Sequence, residues 1–333
     1  MRGMEIREIG EFGLIEKIKG CVTTQKESVV LGIGDDAAVI KETSGNYWLI
    51  TSDTLVEGVH FRQEFATLWQ IGWKAGAANL SDIAAMGGEP RWAVVCLSFP
   101  GHMRVRDVED LYRGMDRVCS KFGCDIVGGD TTLSMGGMTI SIAVVGRVDE
   151  ERLATRRGAK VGDAICVTGD LGGSKAGLES LKEKGQTYGY AIRRHLEPVP
   201  RIHEAKAIGD VARVHAMIDI SDGLSSEVNH ICRESRTGAR IFAASIPVHE
   251  DTREIARRRG ESVLDYALSG GEDFELLFTL APEKVDAVRS HVEKNTGTPI
   301  SVIGEITDDE KMIVIVDEDG NEEKLFPLGY QHF

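Results

Sequence analysis

The sequence predicts a two-domain α/β (or α+β) protein in which strands and helices alternate along the whole chain. Short runs rich in Val, Ile and aromatic residues are separated by longer segments with apolar residues at helical spacing. The 333 residues are enough for one large domain or two ordinary ones. A charged stretch at 149–152 is typical of a domain junction. We therefore expect an N-terminal domain at 1–148 and a C-terminal domain at 149–333.

The N-terminal elements follow from these two periodicities. Helices are predicted at 11–18, 68–86 and 105–122, and strands at 28–32, 37–41, 47–51, 92–98, 125–127 and 138–148. The helix at 68–86 carries Ala and Gly on one face, which indicates close packing against a sheet. It ends at Gly87 and Gly88, a common helix stop.

The C-terminal half shows the same alternation. Strands are predicted at 164–168, 216–220, 240–243, 274–280, 300–306 and 312–316, and helices from Ser174, at 188–195, 201–210, 223–233 and 282–292. The acidic run at 317–323 lacks the twelve-residue ligand order of a calcium loop. Strand patterns on both sides predict an Asp-Gly hairpin turn there instead.

Composition limits the classes of partner. Lys and Arg number 39 against 53 Asp and Glu, and the net charge of −14 argues against a nucleic-acid surface. No apolar run approaches the roughly 18 residues of a membrane span, and the N-terminus lacks an apolar signal core. The six cysteines form no CxxC pair, so we expect reduced thiols in a cytoplasmic protein.

Seven short acidic islands lie where apolar runs end, beside Gly, Ser or Thr. They are 34–36, 51–53, 81–82, 129–130, 219, 221–222 and 271–273. We expect these carboxylates in loops at the mouths of strands, except Asp82, which falls inside a predicted helix. Converging carboxylates repel one another unless a cation neutralises them, and several Mg²⁺ ions would suit a polyphosphate ligand. Turns and helix caps remain the alternative for several islands.

The islands also recur between the halves. Ser-Asp precedes a Gly-Gly acidic motif at similar spacing in each half, which suggests two related halves facing each other across an acidic cleft. The alternative is that such turns are simply common.

Two common nucleotide-binding motifs are excluded by the sequence. The run at 32–37 matches G-x-G-x-x-A, but a strand pattern follows it where a dinucleotide fingerprint needs a helix, so that interpretation is rejected. No P-loop motif is present.

Three further features have two interpretations or only a weak signal. Arg156 and Arg157 are either a phosphate clamp or a solvated basic turn. His60 alone is more typical of a packed or surface residue. The glycine-rich run at 169–173 precedes a helix and could receive a phosphate.

Nine motifs spread over nearly the whole chain point to one family. They lie at 11–16, 32–37, 51–61, 79–87, 128–131, 157–163, 219–224, 269–276 and 329–333. The most specific are Val-Glu-Gly-Val-His-Phe at 56–61 and Gly-Tyr-Gln-His-Phe at 329–333. Through them the sequence resembles the thiamine-monophosphate kinase family, of the aminoimidazole-ribonucleotide-synthetase-like superfamily. The resemblance implies mixed sheets with helices packed on one face, and a homodimer formed by the N-terminal domains.

The resemblance also implies an activity and a set of site residues. The activity is Mg²⁺-dependent transfer of the ATP γ-phosphate to thiamine monophosphate, giving thiamine diphosphate. The implied Mg²⁺ ligands are Asp36, Thr51, Ser52, Asp53, Asp82, Asp130, Asp219 and Asp222. The implied ATP contacts are Gly129, Asp130, Arg156 and Ser221, and the implied thiamine-phosphate contacts are His60, Glu272 and Tyr330. Arg157 stands where many relatives carry Ser, which leaves open which arginine holds the nucleotide.

Two rival functions remain at this stage. One is an ATP-dependent ligase of the same superfamily that activates an amide oxygen by phosphorylation. The other is an acidic protein that binds divalent metal without catalysis.

Overall fold

The computed structural model describes residues 5–183, 188–310, 312–330 and 332. Within them the chain forms two mixed sheets with helices packed against them, which confirms the predicted fold class. The first sheet has six strands from the N-terminal part of the chain, and the second has seven from the C-terminal part. The division into domains at residues 148 and 149 stays a prediction. Gln331 and Phe333 of the C-terminal motif lie outside the described residues.

The first sheet and its helices cover the N-terminal part of the chain. The strands are β1 (Val29–Leu31), β2 (Ala38–Lys41), β3 (Asn46–Val56), β4 (Glu89–Phe99), β5 (Asp125–Leu133) and β6 (Thr139–Asp149). The helices are α1 (Gly10–Cys21), α2 (Leu68–Ala85) and α3 (Val105–Lys121), with a 3-10 turn at Ile6–Glu8. The strand order is β1-β2-β3-β6-β4-β5, and all neighbours are antiparallel except β4 and β5.

One face of this sheet is covered by helix and the other is open. α2 packs on β3, β6 and β4, and α3 packs on α2. The two helices approach closely, since a Cβ on Gly72 would lie 2.0 Å from the carbonyl oxygen of Leu111. Because side chains alternate along a strand, the opposite face carries the exposed Ile50, Trp92 and Val94.

The second sheet is made by the C-terminal part of the chain. Its strands are β7 (Ala164–Thr168), β8 (Ala216–Asp219), β9 (Gly238–Phe242), β10 (Leu276–Leu280), β11 (Ile300–Thr307), β12 (Ile313–Val316) and β13 (Glu322–Lys324). The helices are α4 (Gly173–Lys182), α5 (Gly189–Leu196), α6 (Ile202–Val211), α7 (Leu224–Ser235), α8 (Glu250–Arg259), α9 (Val263–Ser269) and α10 (Val285–Thr296), with 3-10 turns at Ala243–Ser245 and Pro282–Lys284.

The strand order of the second sheet is β13-β12-β9-β11-β7-β10-β8, and only β12 and β9 run parallel. Every residue of β7, β8 and β10 is buried, which requires cover on both faces. Side chains of β7 and β10 accordingly enter two separate hydrophobic clusters. Helices therefore pack on both faces of this sheet. The family resemblance implied helices on one face only, so that expectation is corrected for the second sheet.

Helix α2 lies where the two halves meet. Its apolar side chains belong to one hydrophobic cluster that also contains Met217 of β8, Phe278 of β10 and Phe274, which precedes β10. It contacts β8 and α6 in addition to its own sheet. A polar side chain on the free face of α2 therefore points into the space between the halves. Among the described residues no helix, α2 included, combines the length and hydropathy that crossing a bilayer requires.

Two acidic islands lie inside strands, so the prediction that they occupy loops is wrong. Thr51 and Asp53 pair with Val144 and Ile142 within β3 and β6, and Gly129 and Asp130 pair along β4 within β5. The predicted strands end too early because backbone pairing continues through polar and glycine residues that weaken the apolar pattern. The hairpin predicted at 317–323 is confirmed, with β12 and β13 antiparallel on either side.

Candidate active site

A cavity of about 1470 Å³ lies between the two halves, and residues of both line it. α2 forms one wall. Its lining residues Lys74, Ala78 and Asp82 are four residues apart and so share one helical face. Most of the residues implied by the family resemblance also line the cavity. They are Asp36, Thr51, Ser52, Asp53, His60, Asp82, Arg156, Asp219, Ser221, Asp222, Glu272 and Tyr330.

Three carboxylates from three elements meet in the cavity and form what we call the acidic cluster. Asp36 precedes β2, Asp82 lies on α2 and Asp219 ends β8, and one oxygen of each lies within 4.8 Å of the others. Hydroxyl groups orient two of them. The Thr51 Oγ1 donates to Asp82 Oδ2 at 2.5 Å, and the Ser81 Oγ donates to Asp219 Oδ2 at 2.6 Å.

The acidic cluster disfavours its own negative charge. Burial raises the pKa of Asp219 to about 8, and the neighbouring carboxylates of Asp36 and Asp53 add to the rise. Burial, followed by repulsion from Asp53 and Asp219, raises the pKa of Asp82 well above its usual range. Burial also raises the pKa of Asp36. A bound cation reverses this preference because it favours the ionised form of each ligand.

The donor set fits a divalent metal ion. Carboxylate and hydroxyl oxygens are the ligands that Mg²⁺ prefers. The Oδ2 of Asp36 is buried and has no hydrogen-bond partner within the described part of the chain, which is unusual for a buried carboxylate oxygen. An ion held between Asp36, Asp82 and Asp219 would satisfy it. The cluster is therefore suited to a metal on an observation independent of sequence motifs.

Arg156 lies against the acidic cluster. Its Nη2 donates to Asp36 Oδ1 at 2.5 Å and its Nε to the same oxygen at 3.2 Å, while its backbone N–H donates to Asp35 Oδ2 at 3.2 Å. Burial and the charge of Asp36 nevertheless raise the pKa of Asp35 to about 7. Arg157 is exposed and is not among the residues that line the cavity. Of the two arginines, Arg156 is therefore the one placed to contact a ligand there.

Two further implied ligands border the cluster. The backbone N–H of Asp53 donates to Asn79 Oδ1 at 2.9 Å, and burial raises the pKa of the Asp53 carboxyl. Asp222 follows β8 in the turn that leads into α7. Its backbone N–H donates to Glu227 Oε1 at 3.0 Å, and burial, with repulsion from Glu11, raises its pKa to about 6. Both residues line the same cavity as the acidic cluster.

The three implied thiamine-phosphate contacts also come together. His60 Nδ1 accepts a hydrogen bond from the Val56 N–H at 3.0 Å, which leaves Nε2 as the protonated nitrogen of the neutral ring. Burial lowers the His60 pKa. The His60 and Tyr330 rings each lie 5.0 Å from the His332 ring, centroid to centroid. Glu272 completes the set from the opposite half of the molecule.

Gly129 and Asp130 do not reach this cavity. Both lie on β5, which is exposed at the edge of the first sheet, and neither lines the cavity of the single chain. Glycine is required at 129 by strand pairing, since its φ is +154° and a Cβ there would lie 1.8 Å from the carbonyl oxygen of Val95. The implied roles of both residues in ATP binding stay predictions.

Sequence reasoning missed several residues of the cavity wall, and Lys74 and His195 are two of them. Lys74 could have been noticed, because it lies eight residues before Asp82 in the same predicted helix and so faces the same side. His195 gave no such signal, since nothing in its neighbourhood relates it to the other site residues along the sequence.

Comparison with known proteins agrees with this architecture. The AIR synthase related protein N-terminal domain family matches residues 34–148, and the corresponding C-terminal domain family matches residues 160–317. The thiamine-monophosphate kinase of Aquifex aeolicus is 38% identical over 99% of this chain and 100% of its own length. That of Escherichia coli K12 is 37% identical over 97% and 98%.

A solved structure agrees as well. AaThiL complexed with AMPPCP and TMP is 34% identical, covers 100% of both chains and superposes with a TM-score of 0.84. A sequence identity of 34–38% over nearly the full length of the chain indicates common family membership and not only a shared fold. The chain belongs to the thiamine-monophosphate kinase family.

Proposed function

We propose that this chain transfers the γ-phosphate of ATP to thiamine monophosphate, giving thiamine diphosphate and ADP. One observation carries the proposal. One large cavity, lined by both halves, holds an acidic cluster suited to divalent metal and also the residues implied to contact thiamine monophosphate. The full-length relatives are named for this activity, and a relative of known structure was solved with an ATP analogue and TMP.

The acidic cluster, with Asp53 and Asp222 beside it, would hold Mg²⁺. When bound, Mg²⁺ supplies the positive charge that offsets the oxygens of two phosphate-bearing substrates. Thr51 and Ser81 orient Asp82 and Asp219 for this role through the hydrogen bonds described above. The ligand set beyond the cluster, which includes Ser52 and Asp130, is part of the proposal.

Arg156 and Ser221 would orient the nucleotide. The Arg156 guanidinium is planar and presents paired N–H donors, which match phosphate oxygens, and it lies at the edge of the acidic cluster. Ser221 lies in the turn between β8 and α7, beside Asp222. Both groups bind and align a phosphate chain without taking part in covalent chemistry.

The reaction needs alignment more than acid or base catalysis. The attacking phosphate oxygen of thiamine monophosphate is already ionised at neutral pH, so no strong general base is required. Phosphoryl transfer proceeds when the attacking and leaving oxygens are in line and the charge is neutralised. We therefore expect direct transfer without a phosphoenzyme. Tyr330 is half exposed at the cavity and is suited to stack on the cationic thiazolium ring.

A second copy of the chain is part of the proposal. The open face of the first sheet carries Trp92 and Val94, and its edge strand β5 carries the exposed Val127 and Leu133. An exposed apolar face and edge of this kind favour pairing with another chain. The same strand carries Gly129 and Asp130, so a dimer on this face is the arrangement in which they could meet a ligand. A cytoplasmic location is also proposed, and the six free cysteines are consistent with it.

The test is a product assay with ATP, Mg²⁺ and thiamine monophosphate, following ADP and thiamine diphosphate together. Equal amounts of both products are expected. ADP release only when an amide acceptor and an amine are supplied would favour the ligase. Metal binding that ATP does not strengthen would favour the non-catalytic protein.

A substitution tests the metal ligands. Asp53→Asn removes a charge and little volume, so we expect a folded variant that has lost most of its activity. Near-normal turnover in that variant would count against the metal assignment.

A further inference from the structure

Lys74 is a buried cation in the wall of the cavity. It is 3% exposed and lies on α2 between Trp73 and Ala75. Its Nζ donates to Glu272 Oε2 at 2.6 Å and to the carbonyl oxygen of His60 at 3.4 Å. Burying an ammonium group costs several kcal/mol unless a counter-charge and hydrogen bonds offset the cost. These two contacts therefore hold the Lys74 ammonium group in its position.

The two partners of Lys74 come from opposite halves, and both are implied contacts of thiamine monophosphate. His60 follows β3, whereas Glu272 lies in the loop between α9 and β10. Lys74 thus contacts both the segment that carries His60 and the loop that carries Glu272. The connection spans 198 residues of sequence between Lys74 and Glu272.

The Glu272 loop has an unusual backbone. Glu272 has φ +56° and Phe274 has φ +51°, in the left-handed region that non-glycine residues adopt at a cost of roughly 1 kcal/mol or more each. The Glu272 N–H donates to the Ser221 carbonyl at 2.7 Å, which fixes the loop against the turn after β8. Backbone strain held at a cavity wall indicates that the direction of the Glu272 side chain matters.

The two oxygens of Glu272 have different surroundings. Oε2 faces the Lys74 ammonium at 2.6 Å and His195 Nδ1 at 3.6 Å. Burial, followed by the charge of Lys74, holds the pKa of His195 well below its usual range, so that ring is neutral. Oε1 takes part in no hydrogen bond among the described residues, although Glu272 lines the cavity. Oε1 is therefore an acceptor available to a ligand, held in place by what binds Oε2.

The Lys74–Glu272 ion pair and the acidic cluster lie at different positions along α2. Lys74 and Asp82 lie eight residues apart on α2, which is about 12 Å along the helix axis. The Glu272 backbone is bonded to Ser221, but its carboxylate is held at Lys74, so a ligand group that contacts this carboxylate lies farther along α2 from Asp82. The aminopyrimidine ring is the part of thiamine monophosphate farthest from its phosphate, and its exocyclic amine donates N–H groups.

We propose that Lys74 is a positioning residue for the acceptor substrate: it anchors Glu272 Oε2 so that Oε1 accepts an N–H from the aminopyrimidine ring. This inference rests on the proposed function. It assigns Lys74 no part in binding ATP, because Lys74 lies about two helical turns along α2 from Asp82 at the acidic cluster. Removing the ammonium would leave the Glu272 side chain free to rotate, and the positioned acceptor would be lost.

The experiment compares Lys74→Met, Lys74→Arg, Glu272→Gln and the Lys74→Met/Glu272→Gln double variant. Affinity for thiamine monophosphate is measured by calorimetry with Mg²⁺ and AMPPCP present, and KM is measured for both substrates. We expect Lys74→Met to weaken thiamine monophosphate binding roughly 10- to 100-fold, as for a charged hydrogen bond, with the KM for ATP unchanged. Lys74→Arg should recover part of the loss. The double variant should bind about as weakly as Glu272→Gln alone.

Lys206→Met is the matched control. Lys206 forms a surface ion pair with Glu89 at 2.9 Å and does not line the cavity. The same substitution there should leave both KM values unchanged. A second probe is oxythiamine monophosphate, in which a carbonyl replaces the exocyclic amine. The wild type should bind it more weakly than thiamine monophosphate, whereas Lys74→Met should bind both about equally.

Failure of the Lys74 inference and failure of the proposed function would give different results. Normal thiamine monophosphate affinity in a folded Lys74→Met variant would make Lys74 a purely structural ion pair and overturn the inference. Additive losses in the double variant would overturn it too, because Lys74 would then act independently of Glu272. Absence of thiamine monophosphate binding in the wild type would instead refute the proposed function. Should Lys74→Met fail to fold, discrimination between the two ligands in Lys74→Arg and Glu272→Gln decides the question.

Discussion

The hydroxyl of Ser81 donates a hydrogen bond to Asp219 Oδ2 at 2.6 Å, and this contact joins the two halves of the protein at the acidic cluster. Ser81 is fully buried on α2, and Asp219, 2% exposed, ends β8. A residue that precedes Asp82 on one element thus orients a carboxylate that comes from another sheet. The relative position of the halves and the geometry of the proposed metal ligands therefore depend on one another.

Ser81→Ala should weaken the response to Mg²⁺ more than it weakens the fold. It removes the donor that orients Asp219, and loss of such a partner commonly costs 10- to 100-fold in metal affinity. The free energy of unfolding should fall by only about 1–2 kcal/mol. The measurement is the Mg²⁺ concentration that gives half-maximal turnover, beside a thermal unfolding curve.

Ser120→Ala is the control for that experiment, since Ser120 is exposed on α3 and remote from the cavity. Its Mg²⁺ response should match the wild type. An unchanged Mg²⁺ response in Ser81→Ala would show that Asp219 needs no orientation from α2, and would remove the link between domain arrangement and metal binding.

Most helices and the fold class could be predicted because they depend on local periodicity, although α8 and α9 were not predicted. The helical position of Asp82, for example, follows from the apolar pattern around it. Thr51 and Asp53 were harder, because a strand is held by backbone pairing with β6 and their polar side chains obscure its end. The partner of Lys74 could not be predicted at all. An ion pair between residues 198 positions apart leaves no trace in the spacing of either.

Mg²⁺ should stabilise the protein more at pH 8 than at pH 5. The pKa of Asp219 rises from an ordinary value of 3.8 to about 8 in the fold, so the folded state binds the extra proton between those values. Stability from this group is complete below pH 3.8 and is lost as the pH rises toward 8. The metal-free protein should therefore lose stability across this range, and Mg²⁺, which favours the ionised carboxylate, should restore it.

Unfolding temperatures with and without Mg²⁺ between pH 4 and 8, at matched ionic strength, test this expectation. Asp219→Asn provides the comparison, since it has no proton to lose and should show a flatter pH dependence and a smaller Mg²⁺ effect. An Mg²⁺ stabilisation that is equal at both ends of the range in the wild type would contradict the assignment of these carboxylates as ligands.

Val94→Glu should dissociate the proposed dimer. The substitution places a charge on the open face of the first sheet, which a second copy would bury, and an unpaired buried charge is strongly unfavourable. Light scattering coupled to gel filtration should show the mass halved relative to the wild type. Activity should fall together with the mass if Asp130 reaches a ligand only in the dimer, and Asp130→Asn should then lose activity without changing the mass.

Val161→Glu is the matched control for the dimer, because Val161 is 61% exposed and lies outside the first sheet. It should leave both mass and activity unchanged. A wild-type protein that is monomeric at working concentration, yet fully active, would exclude the dimer and with it the proposed role of the open face.

Gly114→Ala should destabilise the fold through the contact between α2 and α3. A Cβ at 114 would lie 1.9 Å from the carbonyl oxygen of Trp69, and α2 cannot move away without disturbing the cavity wall. Overpacking against backbone of this kind should cost about 3 kcal/mol. Gly20→Ala on α1 is the control, since its Cβ would meet nothing within 4 Å and alanine favours a helix by up to about 1 kcal/mol. Thermal unfolding should show a clear loss for Gly114→Ala and none for Gly20→Ala; equal curves would mean that the helices can separate without cost.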